Sequence, residues 1–383
     1  MPMQGKRLVL LGAGHAHLPL LCRLPKLVQG GVQVTVVGPY PHHYYSGMGP
    51  GLLGERYSDE DVRFPVQCIT EEAGGSFLLD KVRTVRATRR ELELESGTTL
   101  PYDVASFNIG SAVPSLPGMD AGPLVFKVKP IQNIRTMHDT LDGMLAKAGH
   151  QVRVVVAGGG PAGLEVAGNL AALAERRGAL GRLDLTIIAG SRFLKRLPEY
   201  ARRLAQNVLR SRGIQIIEGQ HCQRIAAEGV QADTGELYQA DVVVLAMGTR
   251  PPPIFRDSDL PIGDDGGLQV DAHLRCPDHP ELFGGGDCIC PEGRAVPRVG
   301  VQAVVQGPIL VHNIETTLAG GGPLKSFTPQ ERYMLLYNLG DGTAIFHKWG
   351  FALRSSLFMR MKDSIDRRFM RSAMPFWATS CEG

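Results

Sequence analysis

No stretch of the 383 residues approaches the run of about 18–20 apolar residues that spans a membrane. The start, Met1-Pro2-Met3-Gln4-Gly5-Lys6-Arg7, runs straight into an apolar strand without the pattern of a signal peptide. A net charge of +3 is too small to point to nucleic acid. Cysteine is sparse, seven residues, odd in number and scattered, so a disulfide framework is not expected. Nor is there a four-ligand cluster at zinc spacing, so no metal is expected. These absences predict a cytoplasmic protein with at most peripheral contact at the inner face of the cell membrane. What remains, 43% apolar and 21% charged residues, suits two or three α/β domains.

Two glycine fingerprints organise the chain. The first, Gly12-Ala13-Gly14-His15-Ala16-His17, follows the apolar run Leu8-Val9-Leu10-Leu11. The second, Gly158-Gly159-Gly160-Pro161-Ala162-Gly163, follows Val152 to Val156. Such a loop lets the backbone turn tightly and approach a pyrophosphate, which meets the positive end of the next helix. One match is weak evidence. Two, each followed by a helix and a second strand, predict one protein holding two dinucleotides, as an electron-transfer enzyme does.

A first helix should end at Pro25, and Val32 to Val37 complete the first βαβ unit. The Pro- and Gly-rich segment from Gly38 to Gly51 reads as a loop over a surface or ligand. Short antiparallel strands are expected over residues 77–100, with a turn at Ser96-Gly97. Strands ending in small-residue turns at Gly110 and Gly248 mirror each other. The predicted fold is α/β, with two Rossmann-like three-layer domains, the second inserted in the first, and a C-terminal helical tail. Residues 1–122 and 250–322 form the first domain, 123–249 the second and 323–383 the cap, which also offers a dimerisation surface.

This order of elements resembles the two-dinucleotide flavoprotein superfamily, type II NADH dehydrogenases and sulfide:quinone oxidoreductases most of all. The first fingerprint and Tyr45-Ser46-Gly47-Met48-Gly49-Pro50-Gly51 resemble the branch of flavin domains fused to selenide, water dikinase. The resemblance implies that Gly12, Gly14, His15, Ala16 and His17 cradle the FAD pyrophosphate, His17 replacing the third glycine. It implies that Asp287, in Gly284-Gly285-Gly286-Asp287, holds the ribityl chain, and that Tyr45, Val82, Gly110, Gln302 and Ala303 also contact FAD. Gly158, Gly160, Pro161, Ala162, Gly163 and Gly248 would hold NADH or NADPH, with Glu165 close to nicotinamide and flavin. The acid that usually ends a second strand is replaced by Gly38 in one unit and by Ala189-Gly190-Ser191-Arg192 in the other. Arg192 can meet a 2′-phosphate, which leaves NADH and NADPH both open.

Gln302 and Gln306 stand four apart on one helix face, where two amides can meet a quinone head. The segment resembles the one bordering the quinone site of type II dehydrogenases. The expected reaction takes hydride from NAD(P)H to flavin and passes electrons to a quinone. No cysteine pair lies between Gly38 and Gly54, which speaks against a thiol relay there. Cys288 and Cys290 keep open a sulfide- or selenide-oxidising flavoprotein, and a slow-turnover flavin redox sensor is a further option. From Trp349 to about Met370 a basic amphipathic helix is expected, with Leu353, Leu357, Phe358, Met361, Ile365 and Phe369 on its apolar arc and Asp366 opposite.

Overall fold

The computed structural model describes residues 3–147, 149–293 and 296–381; Met1 and Pro2, which open the N-terminal segment considered above, lie outside them. Two five-stranded parallel sheets carry the molecule. The first runs in the order Leu282–Gly284, Val104–Phe107, Arg7–Leu11, Gln33–Gly38, Ser76–Leu79. The second runs Leu124–Lys127, Val242–Leu245, Val152–Ala157, Leu183–Ile188, Gln215–Ile217. In both, the fingerprint strand sits at the centre, between its βαβ partner and the strand that ends in a glycine turn. Covered on both faces, such strands must be apolar throughout, and Val242 to Leu245 are fully buried.

Each sheet carries the same appendage. An antiparallel meander of Val82–Arg86, Glu91–Leu94 and Thr99–Pro101 accompanies the first. Cys222–Ala226, Gly229–Ala232 and Leu237–Gln239 accompany the second. The duplication read from glycine spacing is therefore a duplication of topology. Within residues 77–100 one expectation changes, because Ser76–Leu79 joins the parallel sheet through Gln33–Gly38 and only the later strands are antiparallel. Pro25 does not end the first helix. That helix is Leu18–Leu21, and Pro25 lies in the first turn of a second one, Leu24–Gln29, where its missing N–H costs nothing.

The C-terminal segment departs further from expectation. Leu335–Asn338, Ala344–Lys348 and Phe351–Ser355 form an antiparallel sheet, and the helix begins only at Ser356 and runs to Ala373. Trp349 and Gly350 both have φ above +50°, which makes them a hairpin turn. Ser355 then caps the helix, its Oγ accepting from the Leu357 N–H at 3.1 Å. The helix buries Met359, Lys362 and Asp366, while Leu357 is 66% exposed. Asp366, read as a solvent-side residue, thus lies on the docked face, because polar partners await it there.

The cysteine expectation also needs correction. Cys68 and Cys381 form a disulfide between residues 313 apart, pinning the end of the chain to the first domain. Spacing gave no sign of this pair, since only the return of the tail brings the two together.

Candidate functional site

A cavity of about 780 Å³ opens at the C-terminal edge of the first sheet, where strands become loops. Its wall includes Gly12, Gly14, His15, Val82, Gly110, Asp287 and Ala303 from the first domain. Ala162 and Glu165, from the helix behind the second fingerprint, complete it. Residues some 150 positions apart therefore face one space. Gly158, Gly160, Pro161, Gly163, Gly248 and Arg192 lie outside that wall, at the matching edge of the second sheet.

The first fingerprint is organised by Asn108, a residue that glycine spacing could not reveal. Its Oδ1 accepts from the Ala16 and His17 N–H groups at 3.0 and 3.3 Å. Its Nδ2 donates to the Gly285 carbonyl at 2.6 Å, tying the fingerprint to the Gly-Asp motif. A Cβ on Gly14 would lie 2.4 Å from Asn108 Oδ1, and one on Gly286 would lie 2.4 Å from Asn108 Nδ2. These glycines therefore serve the clamp as well as a ligand. Gly12 combines φ +76° with the same crowding, 2.6 Å from the Asn108 carbonyl, so no other residue fits.

The clamp corrects two assignments. The Ala16 and His17 N–H groups already have an acceptor and are not free for a pyrophosphate. His17 is fully buried, its ring held between the Gly12 carbonyl at 2.7 Å and Ser106 Oγ at 2.8 Å. It fills the space a third glycine would leave and packs the core.

His15 behaves differently. Its Nε2 and that of His43 are buried yet have no partner, and both rings line the cavity with centroids 5.3 Å apart. Burial, helped by the Lys129 cation, holds the His15 imidazole down to about 4. Burial also holds His43 down to about 3, His15 and Lys129 adding to it. Both are neutral at physiological pH, and each can donate or accept one hydrogen bond toward the cavity. Tyr45 sits one layer behind, not in the cavity wall. Its ring packs on His15 and Phe369, and its OH donates to Asp366 at 3.1 Å.

Asp287 meets Lys129 Nζ at 2.7 Å and the Ser111 hydroxyl at 2.7 Å. Burial opposes its charge, but the Lys129 ammonium and the Ser111 hydroxyl hold the carboxyl below the usual range. Lys129 and Ser111 carry no sequence signal, being ordinary residues that only the fold brings to the motif. Glu165 accepts from the Asn338 N–H at 2.8 Å. Burial pushes its carboxyl up to about 7, against the pull of the Lys362 cation.

The glutamine pair is not presented to the cavity. Gln302 exchanges two hydrogen bonds with the Gln330 backbone, and Gln306 Oε1 accepts from the Gly286 N–H at 2.6 Å. Both are buried and spent in holding the fold, Gln306 directly beside Asp287. Of that helix, Gly300–Leu318, the cavity takes Gly300 and Ala303. The Cys288 and Cys290 expectation fails similarly. Cys288 is buried, its thiol donating to the Gly285 carbonyl at 3.3 Å, and burial pushes it up to about 12. Cys290 is partly buried against Gly263, and neither residue lines the cavity.

A dinucleotide with a planar ring system fits this cavity. Unpartnered imidazole nitrogens wait for polar atoms, and Gly110 faces open space where a Cβ would meet nothing. Gly12, Gly14, His15, Gly110 and Asp287 would hold FAD.

Comparison with known proteins agrees with this geometry. Demethylphylloquinone reductase NdbB of Synechocystis is 25% identical over 82% of this chain and 80% of its own length. A type II NADH:quinone oxidoreductase of Staphylococcus saprophyticus is 22% identical over 96% of both chains. The structure of NDH2 from Plasmodium falciparum in complex with NADH superimposes with a TM-score of 0.80. It covers 99% of this chain and 97% of that one at 13% identity, which shows a shared fold. The family model for pyridine nucleotide-disulphide oxidoreductases matches residues 6–312, so two sheets, two fingerprints and one shared cavity belong to an oxidoreductase of that family.

Proposed function

We propose that this protein is a FAD-dependent oxidoreductase that takes a hydride from NADH or NADPH and delivers two electrons to a quinone-type acceptor. One observation carries the proposal: the first fingerprint and the helix that opens at the second both line the same cavity, through Gly12, Gly14, Ala162 and Glu165, so two ligands held by different domains can meet there. The quinone relatives named above support the acceptor. Bound flavin would supply the redox chemistry, and the chain supplies position and electrostatics.

The residues divide the work. Asp287 anchors the ligand through Lys129 and Ser111. His15 and His43 offer neutral hydrogen bonds at the cavity wall. Glu165 holds a proton on its carboxyl up to pH about 7 at the second domain's side of the cavity. The sum of the reaction is NAD(P)H plus quinone plus one proton giving NAD(P)⁺ and quinol, so one proton must enter from solution. A carboxyl poised near neutrality suits that delivery.

A pH profile tests the assignment. Acceptor reduction is expected to fall as pH rises through about 7, and Glu165→Gln is expected to flatten that limb. Stability moves the same way. A carboxyl raised above its unfolded value of 4.5 binds a proton in the folded state first, so its contribution is lost as pH climbs from 4.5 toward 7. A profile unchanged in Glu165→Gln would remove the residue from the proton route.

Contact with a lipid surface is part of the proposal. Trp349, Phe351, Leu353, Leu357 and Phe376 are between 59% and 92% exposed around the tail, among flanking basic residues. Among the described residues no helix is long and apolar enough to cross a membrane. The sulfur-oxidising alternative is disfavoured, because Cys288 is buried and faces carbonyls rather than the cavity.

The deciding experiment mixes the purified yellow protein anaerobically with NADH, NADPH and sulfide in turn, then adds a soluble quinone. Bleaching of the flavin by a nicotinamide nucleotide and recovery of colour on quinone addition is the expected result. No bleaching by either nucleotide would overturn the proposal.

A further inference from the structure

We infer that the second nucleotide site selects NADPH over NADH, and that Arg192 is the group that recognises the 2′-phosphate. This rests on the proposal above that the second fingerprint takes a nicotinamide nucleotide.

In doubly wound sheets the end of the second strand reads the adenine ribose: a carboxylate there bonds the 2′-hydroxyl, and an arginine accommodates a 2′-phosphate. Here that strand is Leu183–Ile188, and its end is locked against the fingerprint. The Leu194 N–H donates to the Gly159 carbonyl at 2.7 Å, and a Cβ on Gly159 would lie 2.4 Å from that of Ala189. Ala189 to Leu194 therefore border the phosphate-binding turn directly.

This border has no carboxylate of its own. Its nearest acids are engaged elsewhere. Glu218 accepts from the Phe193 N–H at 2.7 Å and from Arg202 at 2.9 Å. Glu199 is shared by Arg192, Arg202 and Arg203. From Ala189 to Ala205 the chain carries Arg192, Lys195, Arg196, Arg202 and Arg203 against Glu199 alone. Arg192 is about half exposed, and Lys195 and Arg196 are exposed beside it.

Charge decides the preference. A ribose 2′-hydroxyl finds no acceptor carboxylate and gains little from a cationic rim. A phosphate dianion gains from the excess charge. It can also take planar paired hydrogen bonds from Arg192, whose present partner, Glu199, has two other arginines to hold it.

The test uses the full-length, FAD-loaded protein and measures dissociation constants for 2′,5′-ADP and 5′-ADP by calorimetry, with anaerobic flavin bleaching by NADPH and NADH beside them. The 2′-phosphorylated ligand is expected to bind about tenfold to hundredfold more tightly, the effect of one charged hydrogen-bonding pair. That ratio should shrink with added salt. Arg192→Ala is expected to lose most of the ratio, and Arg192→Lys to keep part of it. Ala189→Glu should shift the preference toward the non-phosphorylated ligand. Equal or tighter binding of 5′-ADP, or an unchanged ratio in Arg192→Ala with flavin content intact, would overturn the inference. If 2′,5′-ADP is preferred but neither nucleotide bleaches the flavin, the inference stands and the hydride reaction fails. If both nucleotides bind and bleach equally, the reaction stands and the selectivity fails.

Discussion

Lys362→Ala is expected to destabilise the protein by about 3–5 kcal/mol, the cost of leaving one member of a buried ion pair alone. Lys362 is 7% and Asp366 4% exposed, and their Nζ–Oδ2 distance is 2.7 Å. The same ammonium donates to the Gly47 carbonyl at 2.7 Å, so it fastens the tail helix to the glycine-rich loop. Tyr45 supplies the remaining bond to Asp366. Removing the cation leaves a carboxylate whose burial already pushes its pKa above the usual range. Urea denaturation of the flavin-loaded protein measures the loss. The double variant Lys362→Met with Asp366→Leu should recover most of it, because it leaves no orphaned charge. Equal losses in single and double variants would mean that packing, not charge, holds the helix.

Asp287→Ala is expected to yield protein largely free of flavin, with affinity reduced by about tenfold to hundredfold or more. The carboxylate is the only acidic group that the Gly-Asp motif places in the cavity, and its loss strands Lys129 and Ser111. An uncompensated ammonium in a partly buried wall adds a desolvation cost to the lost anchor. Absorbance ratios of purified variant and parent, followed by titration with FAD, give the measurement. Asp287→Asn keeps the shape without the charge and should fall between them. If Asp287→Ala retains a full flavin complement, the carboxylate is no anchor.

The tail shows why these two effects belong together. Phe369 of the tail helix lies 5.9 Å from the His15 ring and 4.8 Å from Tyr45. The helix that Lys362 fastens is therefore packed on His15, which lines the flavin cavity, and on Tyr45 behind it.

The architecture was legible in sequence to a large extent. Apolar runs before two glycine fingerprints identify parallel strands, because only strands covered on both faces read as continuous Val, Leu and Ile. Gly110 and the first glycines are legible for a similar reason, whereas the roles of Asp287 and Glu165 are what the family resemblance implies. Backbone turns and strand ends demand particular residue types at particular offsets. The tail departs from the expected helix because the 3.6-residue period of its apolar residues holds only from Ser356, while Phe351–Ser355 is a strand with a period of two.

The sequence alone determined two dinucleotide folds and their duplication, both consequences of local backbone geometry. Only the tertiary structure decided which polar groups are spent and which are free. Gln302, Gln306 and His17 have the right chemistry but are consumed by neighbours 20 to 89 positions away, and Cys288 is buried against a nearby carbonyl. Asn108, Lys129 and Ser111 gain their roles from such neighbours. Local spacing can place a side chain on an element, but whether its hydrogen bonds are already made can depend on residues 321 positions away, as for Tyr45 and Asp366.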